Sequence, residues 1–385
     1  MVHLLLAVIY LSFISLGLPD GILGAAWPTM YPQFGVPVSW SGIVYMIISI
    51  GTVVSSLLSD RLTRRFGTGK ITAVSVAMTA VALLAMSAAD SFWVICLLAI
   101  PYGLGAGSVD ASLNGYVALH YESRHMSWLH CMWGVGASIG PYVMGAVLTV
   151  GAPWNKGYLY LGVVQVAMTA VLLLSLPLWK KKGTDVTGQT QEALTLGQVF
   201  QIPGAREVII LFFCYCALEQ TAGLWASSYL VLDRGFSEEA AAGFAGLYFL
   251  GLTVGRFISG FLTMKLKDAQ MVWLGLAIII FGALLILLPL GNTVVLTGLL
   301  IAGLGSAPLY PCIIHSTPEH FGANHAQALV GVQMASAYVG TCLMPPLFGM
   351  IADYISISLL PVCLLVLAVL MVLLFKRLCR ITAHK

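Results

Sequence analysis

Three acids stand inside long apolar stretches of this chain: Asp20, Asp110 and Glu219. A carboxylate in such surroundings is costly and is kept for a task. It can accept hydrogen bonds from a polar solute, or it can take up and release a proton. Asp20 follows Pro19 within a Gly17, Gly21, Gly24 stripe that loosens a helix there. Asp110 belongs to an ordered series, Gly103, Gly107, Asp110 and Asn114, whose spacings of 4, 3 and 4 put all of them on one helical face. A carboxylate and an amide one turn apart beside two glycines form a polar notch with room for a ligand. The same series also fits a small-residue packing seam with a structural Asp. Glu219 has Gln220 beside it and Tyr215 one turn before it. Asp110 and Glu219 are the two proton-coupling candidates, and their spacing does not separate them.

Further candidates follow from shared faces. His130, Trp133, Gly134 and Ala137 fall on one stripe, which could line a cavity and offer an aromatic ring to a solute. A histidine there serves equally as a hydrogen bonder at a helix end. Together with Asp20, Asn114 and Gln220, the residues His130, Trp133, Tyr310 and Gln333 form the substrate-binding set, with Trp27, Trp225 and Tyr338 as additional lining candidates. Aromatic residues in apolar helices also serve packing or face lipid. Arg256 lies within an apolar stretch and needs a partner, and Asp110, at a similar depth, is the natural one.

The elements that position these residues are set by composition. Of 385 residues, 59% are hydrophobic and 9% charged, against about 25% charged in a soluble domain. The apolar residues run in charge-free stretches long enough to cross a bilayer as helices. Twelve spans are expected, at 4–31, 38–58, 70–88, 93–119, 126–149, 157–178, 206–232, 239–264, 269–289, 293–316, 326–352 and 355–377. The break at 179–204 holds Lys180, Lys181 and Lys182 and reads as a linker between an N-terminal bundle, 1–178, and a C-terminal bundle, 205–385. The first span is read as retained rather than as a signal peptide. All but Lys156 and Arg234 of the eighteen Lys and Arg fall on the linker side or beyond it. That bias predicts cytoplasmic termini in a multi-pass protein of the cell membrane.

The chain is also written twice. A shift of 200 carries Gly51, Ser59, Leu62 and Thr63 onto Gly251, Ser259, Leu262 and Thr263, and Gly103-Leu-Gly105 onto Gly303-Leu-Gly305. A shift of 204 carries Gly136, Pro141 and Gly145 onto Gly340, Pro345 and Gly349. Asp20 with Gly24 mirrors Glu219 with Gly223. Two six-helix repeats around a central linker are the architecture of a rocking carrier with a midplane site.

Between spans two and three, Asp60-Arg61-Leu-Thr-Arg64-Arg65 resembles the loop signature of the major facilitator superfamily, with Ser56 and Thr63 where glycines are usual. The resemblance implies a gate in which Asp60, Arg61, Arg64 and Arg65 pair in one state and part in the other, and Arg256, as a cation within a span, is placed in the same gating set. A solvated positive loop would look similar. Span four, Asp20 with its glycines, and Gly303-Leu-Gly-Ser-Ala-Pro308-Leu-Tyr-Pro311 resemble the fucose permease group of sugar–proton symporters. This implies an all-α fold of twelve transmembrane helices in two pseudo-symmetric bundles, and proton-coupled symport of a small polar solute, a sugar foremost. The alternative is efflux of drugs or metabolites, because Gly136-Ala-Ser-Ile-Gly140-Pro141-Tyr-Val-Met-Gly145 resembles the span-five signature of drug–proton antiporters. The expected partners are the solute, protons and lipid, with one chain as the functional unit. No nucleic-acid partner is expected at a net charge of +3. No zinc-ligand spacing and no phosphate loop appears in the sequence, so no metal, cofactor, ATP drive or enzymatic activity is expected.

Overall fold

The computed structural model describes residues 2–121, 123–179 and 196–382. Helices dominate, because a backbone surrounded by hydrocarbon must satisfy its own polar groups. Eleven stretches are long and apolar enough to cross a membrane, and the last covers 51 residues, Val332–Thr382. A π turn at Ala352–Ser356 divides that stretch into spans eleven (Ala323–Ile351) and twelve (Leu360–Thr382), which completes twelve. The others are span two (Ser41–Phe66), three (Thr68–Met86), four (Phe92–His120), five (Ser123–Thr149), six (Asn155–Ser175), seven (Ala205–Leu232), eight (Glu238–Leu262) and nine (Asp268–Leu287). Spans one and ten are broken. Span one runs as Val2–Gly17 and Ile22–Phe34, and span ten as Asn292–Ser306 and Leu309–His315. The interruptions contain Pro19 and Pro308, which cannot donate a helical hydrogen bond. Residues 180–195 of the linker lie outside the described residues.

The repeat in the sequence is a repeat in packing. A methyl placed on Gly103 would sit 2.2 Å from the Ile48 carbonyl oxygen, and one on Gly303 would sit 2.0 Å from that of Tyr248. The second pair is the first shifted by 200 positions. Span five approaches span one in the same way: Gly136 abuts Ile14 and Leu18, and its counterpart Gly340 abuts Phe213 and Ala217 in span seven. Small residues let the backbones touch where there is no water to drive association. Gly136 and Gly140, the heart of the antiporter-like signature, meet the Ile14 and Leu18 carbonyls, so that pattern serves helix packing here.

The two halves join at the span ends opposite the linker. Gly24 lies against Gly223 and Leu224, so the mirrored positions of spans one and seven meet each other, as expected at a pseudo-twofold axis. Gly42 abuts Pro346, Gly145 abuts Gly243, and the Ser39 amide donates to Asp353 at 3.2 Å. Ser56 and Thr63, where the loop signature has glycine, are hydroxyl ties: Ser56 donates to the Gly107 carbonyl at 3.1 Å and Thr63 lies 3.3 Å from the Ser112 hydroxyl. The outer faces remain apolar, with Leu174, Trp93 and Val81 turned outward, as a lipid-facing surface requires.

Candidate functional site

A cavity of about 260 Å³ lies between the halves. Spans one, four, five, seven, ten and eleven line it, and so do span two (Tyr45, Ile48, Ser49, Thr52), Leu83 and Met86 of span three, Tyr158 of span six and Arg256 of span eight. The break in span one aims Asp20 into this space. Asp20 accepts a hydrogen bond from the Trp133 indole at 2.7 Å and a longer one, 3.4 Å, from the Tyr102 hydroxyl. The Trp133 ring in turn carries the Arg256 guanidinium over its face at 5.0 Å. Arg256 lies 3.7 Å from Glu219. Glu219 accepts from the Tyr215 hydroxyl and from the Gln220 amide at 3.4 Å, and Gln220 accepts from Tyr45. One polar chain therefore crosses from the first half to the second, joining the mirrored acids Asp20 and Glu219 through Trp133 and Arg256.

Asp110 also lines the cavity but stands apart from that chain. It accepts from the Asn114 amide at 2.8 Å. His130 lines the cavity with its ring edge to Phe13 at 5.9 Å and near Tyr310 at 6.1 Å. Tyr310 donates to the Met334 sulfur at 3.3 Å, and Tyr338 faces the same space.

Several expectations need correction. Arg256 pairs with Glu219 and not with Asp110, because the span eight–five contact brings it beside Trp133 and across from span seven. The glycines of span four leave no ligand notch, since Gly103 and Gly107 are filled by the span-two backbone at Ile48 and Thr52. Asn114 does not line the cavity but holds Asp110 from behind, and its own Oδ1 is buried without a partner. Gln333 is fully buried and ties to Thr317 at 3.2 Å, which makes it a helix–helix clamp rather than a solute contact. Trp27 and Trp225 are likewise buried, donating to the Val38 and Pro345 carbonyls. The side chains of Asp60, Arg61 and Arg64 lie outside the described residues, and Arg65 is exposed at the end of span two. Tyr45, Tyr102 and Tyr158 went unpredicted. Tyr45, Ser49 and Thr52 form a polar stripe at helical spacing, and Tyr102 lies two turns before Asp110, so both were readable in principle.

Twelve helices in two mirrored bundles, with a cavity between them that holds three acids and a guanidinium, are the architecture of a secondary transporter. The chain belongs to the Major Facilitator Superfamily, whose sequence profile matches residues 9–345. It is similar to Bypass of stop codon protein 6 of Saccharomyces cerevisiae, 23% identical over 289 residues. That alignment covers 68% of this chain and spans 57% of the yeast protein's length. The uncharacterized transporter y4wD of Sinorhizobium fredii is 24% identical over 349 residues, covering 88% of this chain and 90% of that one. Among solved structures, the nucleoside transporter NupG superimposes with a TM-score of 0.75 at 14% identity, covering 97% of this chain and 98% of NupG. That likeness speaks to the fold.

Proposed function

We propose that this protein is a proton-coupled symporter that takes up a small polar solute, sugar or sugar-like, by alternating access, as the fucose permease group does. The observation that carries this reading is the polar chain Asp20–Trp133–Arg256–Glu219 spanning the two halves. Rocking the halves must break and remake that chain, so solute binding and proton uptake act on the same bonds. Asp110 and Glu219 are the proton-coupling acids. Asp20, His130, Trp133, Gln220 and Tyr310 contact the solute. The cavity is slightly below the ~300–1,000 Å³ usual for drug-sized ligands, which favours a small solute. Asp60, Arg61, Arg64 and Arg65 gate the linker side. Residues 1–178 and 205–385 are the rocking bodies, in a single chain of the cell membrane with both termini cytoplasmic.

The test is uptake into proteoliposomes of a panel of sugars and cationic dyes, with and without an imposed pH gradient. Accumulation of a sugar that collapses when the gradient is dissipated is expected. Gradient-driven extrusion of dyes with no sugar uptake would replace this reading with efflux.

A further inference from the structure

Arg256 is the one guanidinium among the described cavity-lining residues. A guanidinium presents five N–H groups in a planar fork. Arg256 gives one long hydrogen bond to the His130 carbonyl, 3.4 Å, and stands 3.7 Å from Glu219 with the Tyr215 hydroxyl beside it. Glu219 takes its own hydrogen bonds from Tyr215 and Gln220, so it offers Arg256 opposite charge without occupying the fork. Arg256 is 11% exposed. A cation held this deep in a membrane protein is costly; Glu219 at 3.7 Å and the Trp133 face at 5.0 Å offer it charge and a ring but no short bidentate pair, so its fork can take a further partner from the cavity.

The surroundings narrow what that complement is. Glu219, Tyr215 and Cys216 of span seven, His130 of span five and Tyr310 of span ten face the cavity around Arg256, and Asp20 and Asp110 line it from spans one and four. The hydroxyls of a neutral sugar could be served by the carboxylates, Gln220 and the tyrosines alone, with no use for a guanidinium. A carboxylate matches the fork with two parallel hydrogen bonds, which an ammonium could not provide. Three acids line the same space, so a carboxylate reaching Arg256 is favoured where protons enter with it, as the symport reading has them do.

We propose that the transported solute bears a carboxylate, and that this group docks bidentately on Arg256 while the polar body of the solute lies against Asp20 and Gln220. The inference rests on the symport reading above and narrows its substrate from sugar-like molecules to sugar acids and hydroxylated organic acids. The test uses the full chain in proteoliposomes under an inward proton gradient. D-Glucuronate and 3-(3-hydroxyphenyl)propionate are each compared with their own primary amide, and D-glucose serves as the neutral sugar. In the wild-type chain the acids are expected to bind at least about tenfold more tightly than their amides, the scale of one charge-assisted hydrogen bond. Arg256→Gln should erase that preference, and Arg256→Lys, which keeps charge but loses the fork, should retain only part of it. Thermal melting of each variant checks that it is folded, and the wild-type comparison stands even if neither variant folds. Equal binding of acid and amide by the wild type overturns the proposal. Gradient-driven glucose uptake with acids excluded overturns it too, while leaving proton symport intact. Acid-selective binding with transport indifferent to the gradient would uphold the anion site and sink proton coupling instead.

Discussion

The two halves of this transporter agree in their seams and disagree at their centre. Gly103 on Ile48 and Gly303 on Tyr248 are the same backbone contact made twice, as are Gly136 on span one and Gly340 on span seven. The acids Asp20 and Glu219 occupy mirrored places, yet their partners differ. Asp20 is held by an indole and a phenol from its own half, whereas Glu219 is held by its neighbours on span seven and faced by Arg256. Position 56, which mirrors Arg256, is a serine that ties span two to span four. Position 337, which mirrors Trp133, is an alanine. Symmetry was retained where backbone meets backbone, since any side chain there forces two helices apart. It was lost where side chains face the cavity, because a solute that is not itself symmetric needs different groups on its two sides.

The largest expected effects test the shared seams. Gly103→Ala and Gly303→Ala each put a methyl within 2.2 Å of a carbonyl oxygen, so both should sharply lower folded yield and melting temperature, and to a similar degree. Gly260→Ala, with nothing within 4 Å of the added methyl, should change stability by no more than about 1 kcal/mol. A severe loss in one half alone would break the equivalence of the repeats.

At the centre the halves should respond differently. Asp110→Asn is expected to abolish gradient-driven accumulation while sparing exchange of solute between the two faces. An amide resembles the protonated acid, lets the loaded carrier rock, and cannot release a proton to finish the cycle. Counterflow and pH-driven uptake, measured side by side, read the two steps apart. If Asp110→Asn accumulates solute normally and Glu219→Gln does not, coupling belongs to span seven.

Trp133→Phe keeps a ring under Arg256 but removes the indole donor to Asp20. The lost bond is internal to the protein, so it should lower stability by about 1.5–3 kcal/mol and, by releasing Asp20 from its position, weaken solute binding by about tenfold. Tyr102→Phe removes only the 3.4 Å bond and should cost less than about 1 kcal/mol. Equilibrium binding of the solute that proves to be transported checks both, and the reverse order would show that Asp20 is positioned by span four. The smallest effect on affinity is expected from Asp60→Asn. It should slow net transport while leaving equilibrium binding within a few-fold, as a gate would. Abolished binding in a folded Asp60→Asn protein would remove the gate assignment.

The sequence alone was enough to determine the membrane fold. Apolar runs of bilayer length and the doubled glycine patterns are one-dimensional signals, and hydrocarbon leaves a spanning chain little choice but helix. The acids were legible for the same reason: a charge inside an apolar run stands out wherever it sits. Tertiary structure alone decided which groups meet. Asp110 and Arg256 have similar depths along their helices, but depth does not specify which helix stands next door, and the packing gave Arg256 to Glu219 and Trp133. Gln333, Trp27 and Trp225 carry cavity-type side chains, and only helix rotation against neighbours turned them inward to be buried. Residue type and spacing fix what a side chain can do and how deep it lies. The close approach of glycine-lined backbones fixes the rotation and neighbourhood of each helix, and with them the partners that make the site.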